Sequence, residues 1–514
     1  MKYLTILLWL FGVNASVGQD WSVINSQARD EMKAGRYESA IALYQDAVAL
    51  DDQNPETLFG LAEAFRLSFQ YENAEINYRK VRNVWADQMP LSIYYYALML
   101  KLGGNFERAS GEFTAFITQV GNSGRYPEFL DQAYVEKAGA DLALITQDEG
   151  RFQVHHLSSP VNSPFNDFSP AFLGEDILIL TSGRGKGWTG KKDLKYGEGF
   201  MNQYAFRKRS NQWLPFDHSI LDMVNSKYHD GNGSFSADFR RYFFTSCGDI
   251  SVNCRIYVTE QNEQGRWDKP RPLNTAVNYP GYDAKQPSLS VGGDTLLFVS
   301  DRPGGKGMND IWMSVSTGNG RWTNAVNLSH INTGLNELSP RWVTSELIVF
   351  SSEGHQNFGG FDFYIADAEG SNMNVVNIGK PFNSSRDDAY STIHAGHFYW
   401  SSNRKGTEGN FDIYFSELPE PESFFTQVFE SGPSARRDEV SMEELEKLEM
   451  VRKNRLEDPF TYETLPSRQK QLVDEVLRSR RAGRELPSEL EYLSTEEREF
   501  IIHVANQQQK TKKD

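Results

Sequence analysis

The middle of the chain alternates short apolar runs with clusters of glycine, asparagine and aspartate. Five of these runs end in serine: ILILTS, YFFTS, LLFVS, LIVFSS and FYWSS. A turn follows each run and leads to a second one: MNQYAF, CRIYV, NDIWMS, FDFYIA and FDIYFS. Short runs of β-branched and aromatic residues between turn residues are typical of strands. The pattern therefore predicts a series of β-hairpins.

A short phrase precedes each hairpin and places an acid five residues after an asparagine. The pairs are Asn162/Asp167, Asn225/Asp230, Asn278/Asp283, Asn332/Glu337 and Asn383/Asp388. Successive asparagines lie 63, 53, 54 and 51 residues apart. Each unit ends in a further strand, often with tryptophan. Four strands and about fifty residues per unit are typical of a propeller blade. We therefore predict a five-bladed β-propeller over residues 151–418.

The fifth unit has no evident fourth strand after FDIYFSEL, and the sequence FQVHHLS at residues 152–158 supplies a candidate. This segment lies directly before the first phrase. A strand from upstream of the first blade that completes the last blade would close the ring and remove an exposed sheet edge. We expect FQVHHLS to pair with the segment around FDIYFS.

Residues 19–150 carry apolar positions at helical spacing. A small residue recurs at intervals of 34 and 35 residues, at Ala40, Ala74 and Ala109. The pattern resembles the tetratricopeptide repeat (TPR), in which small residues let paired helices pack closely. It departs at Asp52, where the repeat usually has proline. We predict a TPR-like α-solenoid before the propeller.

The two ends of the chain differ from these domains. Residues 1–18 have a positive start at Lys2, an apolar core and small residues before Gln19, which predicts a signal peptide; an uncleaved anchor is the alternative. No other run approaches the ~20 apolar residues of a membrane span. Residues 419–514 predict a linker and charged helices. These helices dock on a partner or on the propeller, or they are solvated around a disordered linker.

The charge balance of 53 basic and 69 acidic residues gives a net charge of −16. A nucleic-acid partner is disfavoured, because phosphate binding needs a basic surface. The only cysteines, Cys247 and Cys254, flank a predicted turn in the second blade. A disulfide there suits an exported chain, and two free thiols are the alternative.

The sequence contains no HExxH zinc motif and no GxSxG nucleophile elbow. GKGWTGKK is close to the phosphate-loop motif, but it ends in lysine where that motif has a magnesium-binding serine or threonine. We therefore predict a protein without catalytic residues, metal or cofactor. The insertion containing this stretch is basic in an acidic chain, and it offers a candidate partner surface at Lys186, Trp188, Lys191 and Lys192.

The repeated acids allow a functional and a structural interpretation. Asp310, Asp362 and Asp412 each lie ten residues after a serine. They could form a ring of carboxylates that binds cations or a polar ligand. A group repeated in this way more often stabilises its own hairpin by accepting backbone N–H bonds. We favour the structural role, and we interpret the asparagine–acid phrase as a tie between neighbouring blades.

SDRPGGKGMNDIW, SSEGHQNFGGFDFY and SSNRKGTEGNFDIY resemble the WD40-like (PD40) propeller repeat found in TolB. TPRs followed by such a propeller resemble Bacteroidetes OmpA-family and PorE-like components of the type IX secretion system. The resemblance implies a periplasmic scaffold beside an outer-membrane protein such as a PorP/SprF-like barrel. This chain ends in charged helices where those relatives continue into a peptidoglycan-binding domain, so peptidoglycan binding is not implied.

Three functional hypotheses follow. The leading one is a non-catalytic scaffold that binds protein partners at the outer membrane, because helical arrays and propellers present broad surfaces. The alternative is a glycan-binding or glycan-cleaving propeller, and cleavage would need two carboxylates facing each other across a pocket. The third hypothesis is a sensor that binds a small ligand in the central channel.

Overall fold

The computed structural model describes residues 21–121, 123–185, 198–248, 253–370, 374–431, 473–474 and 476–479. Contacts between Cα atoms divide this part of the chain into two compact units. The first contains the described residues up to Met99, and the second contains those from Leu100 onward, apart from a short stretch outside the described ranges.

The first unit consists of antiparallel helices, as the TPR-like pattern predicts. They are α1 (Trp21–Lys33), α2 (Tyr37–Leu50), α3 (Pro55–Leu67), α4 (Tyr71–Trp85) and most of α5 (Leu91–Leu102). Helix α3 starts at a side-chain cap, because the Asn54 carboxamide accepts hydrogen bonds from two backbone N–H groups of the first turn.

Small residues set the spacing of these helices. Ala40 and Ala74, two of the three recurring alanines, are fully buried. Gly60 lies against the ring of Tyr44, and a Cβ atom at this position would be 2.5 Å from that ring. The alanines that recur in the sequence therefore mark positions where the helices pack closely, as in other helical-repeat proteins.

The second unit begins with the end of α5 and a helical pair, α6 (Phe106–Val120) and α7 (Pro127–Ile145). The propeller follows. Blade one contains β2 (Asp167–Leu173), β3 (Ile177–Ser182), β4 (Asn202–Arg209) and β5 (Gln212–Pro215); blade two contains β6 (His229–Phe235), β7 (Arg241–Cys247), β8 (Cys254–Glu260) and β9 (Arg271–Pro272). The short helix α8 (Leu221–Val224) connects these two blades.

Blade three contains β10 (Lys285–Leu289), β11 (Thr295–Ser300), β12 (Asp310–Gly318) and β13 (Arg321–Trp322), and β14 (Val326–Asn327) also pairs with β12. Blade four contains β15 (Glu337–Trp342), β16 (Leu347–Ser352), β17 (Asp362–Asp367) and β18 (Val375–Asn377). Blade five contains β19 (Asp388–His394), β20 (His397–Ser402), β21 (Asp412–Glu417) and the upstream strand β1 (His155–His156). Helix α9 (Pro421–Glu430) follows the last blade.

The predicted closure of the ring is confirmed. Strand β1 pairs antiparallel with β21, with His155 opposite Phe415 and His156 opposite Tyr414. The ladder involves only two residues of FQVHHLS. Asn162, just downstream, also bonds to β21, so the closure includes the turn before the first blade.

The hydrophobic core is divided among the interfaces between neighbouring blades. One cluster lies between blades one and two, and others follow between each successive pair. A cluster that includes Leu157, Leu178 and Ile413 joins blades five and one. Helix α9 adds the fully buried Phe425 to the cluster of blades four and five. The apolar runs that predict the strands thus supply the contacts between blades.

The pair α6–α7 packs on loops of blade four and of the segment leading to blade five. Gly139 of α7 is so close to Asn357 that a Cβ atom would lie 2.2 Å from the Asn357 carbonyl oxygen. Lys101 is fully buried and donates to Glu136 and to the side chain of Asn357. Lys380 Nζ donates to the carbonyl oxygens of Ala143 and Thr146 at the end of α7, at 2.8 and 2.9 Å. The pair α6–α7 is therefore packed directly on the propeller.

Within the ranges given above, no helix is long and apolar enough to cross a membrane. The predicted signal peptide, the insertion with Lys186, Trp188, Lys191 and Lys192, and nearly all of the predicted C-terminal helices lie outside the described residues.

Candidate functional site

The asparagine of each repeated phrase joins two blades. Its carboxamide accepts from the N–H and donates to the C=O of a single residue on the third strand of the preceding blade. The pairs are Asn162–Ile413, Asn225–Gln203, Asn278–Ile256, Asn332–Ile311 and Asn383–Phe363, with distances between 2.7 and 3.0 Å. The asparagine side chain thus pairs with the backbone N–H and C=O groups of the third strand, as the backbone of a neighbouring strand would.

Four of the phrase acids accept a hydrogen bond from the backbone N–H four residues earlier. They are Asp167, Asp230, Glu337 and Asp388. Two of them also contact an arginine: Arg184 binds Asp167, and Arg404 Nη2 lies 2.6 Å from Asp388 Oδ1. Both arginines also donate to backbone carbonyl groups of the phrase, so these acids belong to the turn that joins the blades.

Asp283 does not occupy the position that the pattern predicts. The left-handed residue of the first strand lies eight residues after Asn278, at Gln286, whereas Ser169 lies seven residues after Asn162. The extra residue moves Asp283 one place back and puts Ala284 at the acid position. Asp283 N–H donates to Asp301 Oδ1, as Asp387 N–H donates to Asn403 Oδ1, both at 2.8 Å. Asp283 is therefore equivalent to Asp387, and it still joins neighbouring blades, because its Oδ1 accepts the N–H of Cys254 in blade two at 2.9 Å.

The hairpin acids Asp310, Asp362 and Asp412 start the third strands and lie opposite Ser300, Ser352 and Ser402. Each accepts the backbone N–H of the residue four before it. Burial raises the pKa of Asp362 to about 8, and its Asn377 and Phe358 hydrogen bonds only partly oppose this. Among the residues described, no group of three or more His, Cys, Asp or Glu side chains is arranged to hold a metal ion.

The second blade differs at this position. Arg255 lies opposite Ser246, and the adjacent Cys247 and Cys254 are directly opposite each other and form a disulfide. A covalent link therefore joins the two strands next to the position where blades three, four and five have an aspartate, whereas blade one has Asn202 there. In blade five, His156 Nε2 lies 2.7 Å from Asp412 Oδ2, so the closing strand also contacts the hairpin acid.

A second ring of contacts, which sequence reasoning missed, surrounds the axis of the propeller. The first strand of each blade contains one left-handed residue with φ between 49° and 57°: Ser169, Asn232, Gln286, Ser339 and Tyr390. Each backbone N–H donates to a side chain of the preceding blade, at 2.7 to 3.1 Å. Four of these residues precede proline or glycine, which is the signal that the sequence offered.

In each blade, the loop between the second and third strands lies at one end. We call the surface formed by these five ends the loop face. All five loops lie at one end because the blades repeat the same antiparallel order. The pair α6–α7 contacts this face through Asn357 and Lys380. In blade three the same face presents Met308, which is 62% exposed.

These features define the class of protein: a TPR-like helical region followed by a five-bladed β-propeller. A family model described as TPR repeat matches residues 28–66. No curated protein matches the chain.

Solved structures with similarity to the chain include helical and propeller proteins. The type III secretion translocator chaperone SycD of Yersinia enterocolitica is 18% identical, with 24% of this chain and 94% of that chain covered and a TM-score of 0.23. TolB of Acinetobacter baumannii is 14% identical, with coverage of 57% and 70% and a TM-score of 0.29. A TolB-type structure from Agrobacterium tumefaciens is 13% identical, with coverage of 51% and 85% and a TM-score of 0.29.

Proposed function

We propose that the protein is a non-catalytic scaffold that binds protein partners in the periplasm, at the outer membrane. In this proposal it serves as an accessory of a type IX secretion or gliding-type envelope complex, and a PorP/SprF-like barrel is a candidate partner. The observation that carries the scaffold role is the TPR match at residues 28–66, within a helical array of the same period. TPR domains bind protein partners, and repeat arrays of this kind present extended surfaces for them.

The first helices of the repeats carry charged and aromatic side chains suited to a protein partner. Arg66 of α3 lies 4.9 Å from the centre of the Tyr95 ring and forms an ion pair with Glu63 at 2.7 Å. Arg29 of α1 is about half exposed, with 53% of its side chain accessible. Arginine and tyrosine are enriched among residues that dominate protein interfaces.

The proposal that the protein is not catalytic is supported by the structural role of the repeated acids. Glycoside cleavage needs two carboxylates facing each other across a pocket. Asp310, Asp362 and Asp412 are each at most 1% exposed, and they accept hydrogen bonds within their own hairpins. They are therefore poorly placed to act on a glycan.

The periplasmic location is supported by the Cys247–Cys254 disulfide, since such bonds persist in oxidising compartments. The predicted signal peptide supports export. The secretion-system assignment rests on the sequence resemblance alone. Cell fractionation, with alkylation of any free thiols before lysis, tests the location; a cytoplasmic chain with reduced cysteines contradicts it.

The scaffold role is tested by affinity purification of the full chain at native levels, after cross-linking in envelope extracts. We expect specific envelope proteins to co-purify with the wild type and to be lost from Arg29→Glu. The matched control is Arg79→Glu, an exposed arginine on α4, the second helix of its repeat. Recovery of the protein alone contradicts the scaffold role, and binding to a polysaccharide panel without protein partners supports the glycan alternative.

A further inference from the structure

The innermost strands of the propeller carry an arginine that the ties between blades do not explain. Arg341 lies two residues after the left-handed Ser339 in β15, and its Nε donates to the carbonyl oxygen of Ser391 in the next blade, at 3.1 Å. The equivalent positions in the other blades hold uncharged residues: Ala171, Ser234, Ser288 and Thr392. Arg341 is therefore the only ionic side chain at this level of the ring.

These inner strands line the axis of the propeller. Each first strand contacts the first strands of both neighbouring blades, so the five form a closed ring. Arg341 remains partly exposed within this ring, while the equivalent Ser234 and Ser288 are buried. Arg341 therefore lies on a strand that lines the axis and keeps some exposure to solvent.

The guanidinium of Arg341 has no carboxylate partner in the described part of the chain. Its hydrogen bond to Ser391 uses Nε, and neither Nη group has an acceptor among the residues that the structure describes. Desolvation lowers the pKa of Arg341 to about 10, and the phenol of Tyr242 opposes this lowering. Arg184 and Arg404, by contrast, each pair with a buried aspartate.

An unpaired, desolvated guanidinium destabilises a folded protein unless something compensates its charge. The planar arrangement of its N–H groups matches the two oxygens of a carboxylate or phosphate. The neighbouring Ser391 adds a hydroxyl that is buried and has no protein partner. The residue whose carbonyl oxygen holds the guanidinium thus also carries a donor without an acceptor.

We propose that the axial channel of the propeller binds an oxyanion, a carboxylate or a phosphate, at Arg341. The anion pairs with the free Nη groups, while the Nε bond to Ser391 holds the guanidinium in orientation. The ligand is either a free small anion or the carboxylate of a peptide that enters the channel. This site is independent of the partner-binding role of the helical array.

The test is thermal unfolding of the full chain with inorganic phosphate or acetate, against sodium chloride of equal ionic strength. We expect at least one of the two anions to raise the Tm of the wild type, by about 3 °C at ten times its dissociation constant. Arg341→Leu abolishes the response and does not lower the Tm in chloride, since it removes a partly desolvated charge that has no carboxylate partner among the described residues. The matched control Arg240→Leu, at an exposed arginine in the β6–β7 hairpin, keeps the response.

Calorimetric titration of the wild type with the same anions measures binding without relying on a variant. Arg341→Gln replaces Arg341→Leu if the latter does not fold. A short peptide with a free C-terminal carboxylate, compared with its amidated form, distinguishes the two sources of the anion. Equal anion responses of wild type and Arg341 variants, or no binding of phosphate, acetate or the acidic peptide, would overturn the proposal.

Discussion

Blades one and five, which meet at the closure, differ from blades three and four in the electrostatic surroundings of their buried acids and arginines. In blades one and five, Asp167 and Asp388 contact Arg184 and Arg404, and Asp412 contacts His156. In blade four, Glu337 and Asp362 are fully buried, and their hydrogen bonds come from neutral donors. Blade three shows the reverse, because Arg302 faces an acid position occupied by Ala284.

The difference shows that the same position of the repeat can hold an acid paired with a cation, an acid with neutral hydrogen-bond donors, or no acid. Burial raises the pKa of Glu337 to about 7, because its hydrogen bonds to Thr333 and Ser352 do not offset the loss of solvent. A carboxyl group in such a place can be accommodated in its neutral form. The closure blades instead retain charge pairs, which are sensitive to the loss of either partner.

The largest effect is expected from breaking one of these pairs. Arg404→Met leaves Asp388, which has no exposed side-chain surface, without its cation. Losing one partner of a buried pair costs about 3–5 kcal/mol. Arg302→Met, which leaves carbonyl acceptors but no carboxylate, should cost about 1–3 kcal/mol. Urea unfolding of the full chain measures both, and equal losses would contradict the comparison.

An effect of opposite sign, smaller than this one up to about pH 6, is expected at Asp362. Its pKa of about 8 in the folded protein lies above the ordinary value, so folding favours the protonated form. The stability contribution is present below about pH 4 and is lost as the pH rises toward about 8. Asp362→Asn should remove this loss, with a relative gain of about 1.4 kcal/mol for each pH unit in that window.

Urea midpoints between pH 4 and 8 measure this gain. The matched variant is Asp412→Asn, which alters the same position in blade five but removes the carboxylate that contacts His156. It should show no such gain. An Asp362→Asn protein with the same pH dependence as the wild type would show that burial does not control this group.

The smallest effect is expected in the second blade, where the disulfide joins β7 to β8. Cys247 and Cys254 are only seven residues apart, so the cross-link restricts a short loop in the unfolded chain. Replacing both by serine should lower stability by about 2 kcal/mol. Hydrogen exchange should increase in β7 and β8 and remain unchanged in blade five. Faster exchange throughout the propeller would contradict a local role.

The period of the phrase and the apolar runs were sufficient to predict five blades and the closing strand, and helical spacing with recurring alanines predicted the helical array. Strands and turns depend on neighbouring residues, so their pattern is visible in the sequence. The place of Asp283 was not predictable in this way, because a single extra residue before Gln286 moves the acid without changing its spacing from Asn278. The axial ring was also missed, although a proline or glycine follows four of its five left-handed residues.

By itself, the sequence determined which segments become helices and strands and how many blades form, since these follow from local periodicity and turn chemistry. Tertiary structure alone decided which charges are paired. Lys101 meets Asn357 across 256 positions of the chain, and Asp412 meets His156 across the same separation. Arg341 meets no carboxylate in the described part of the chain. Such contacts depend on how the ring closes and where the helices pack, and no local pattern records that.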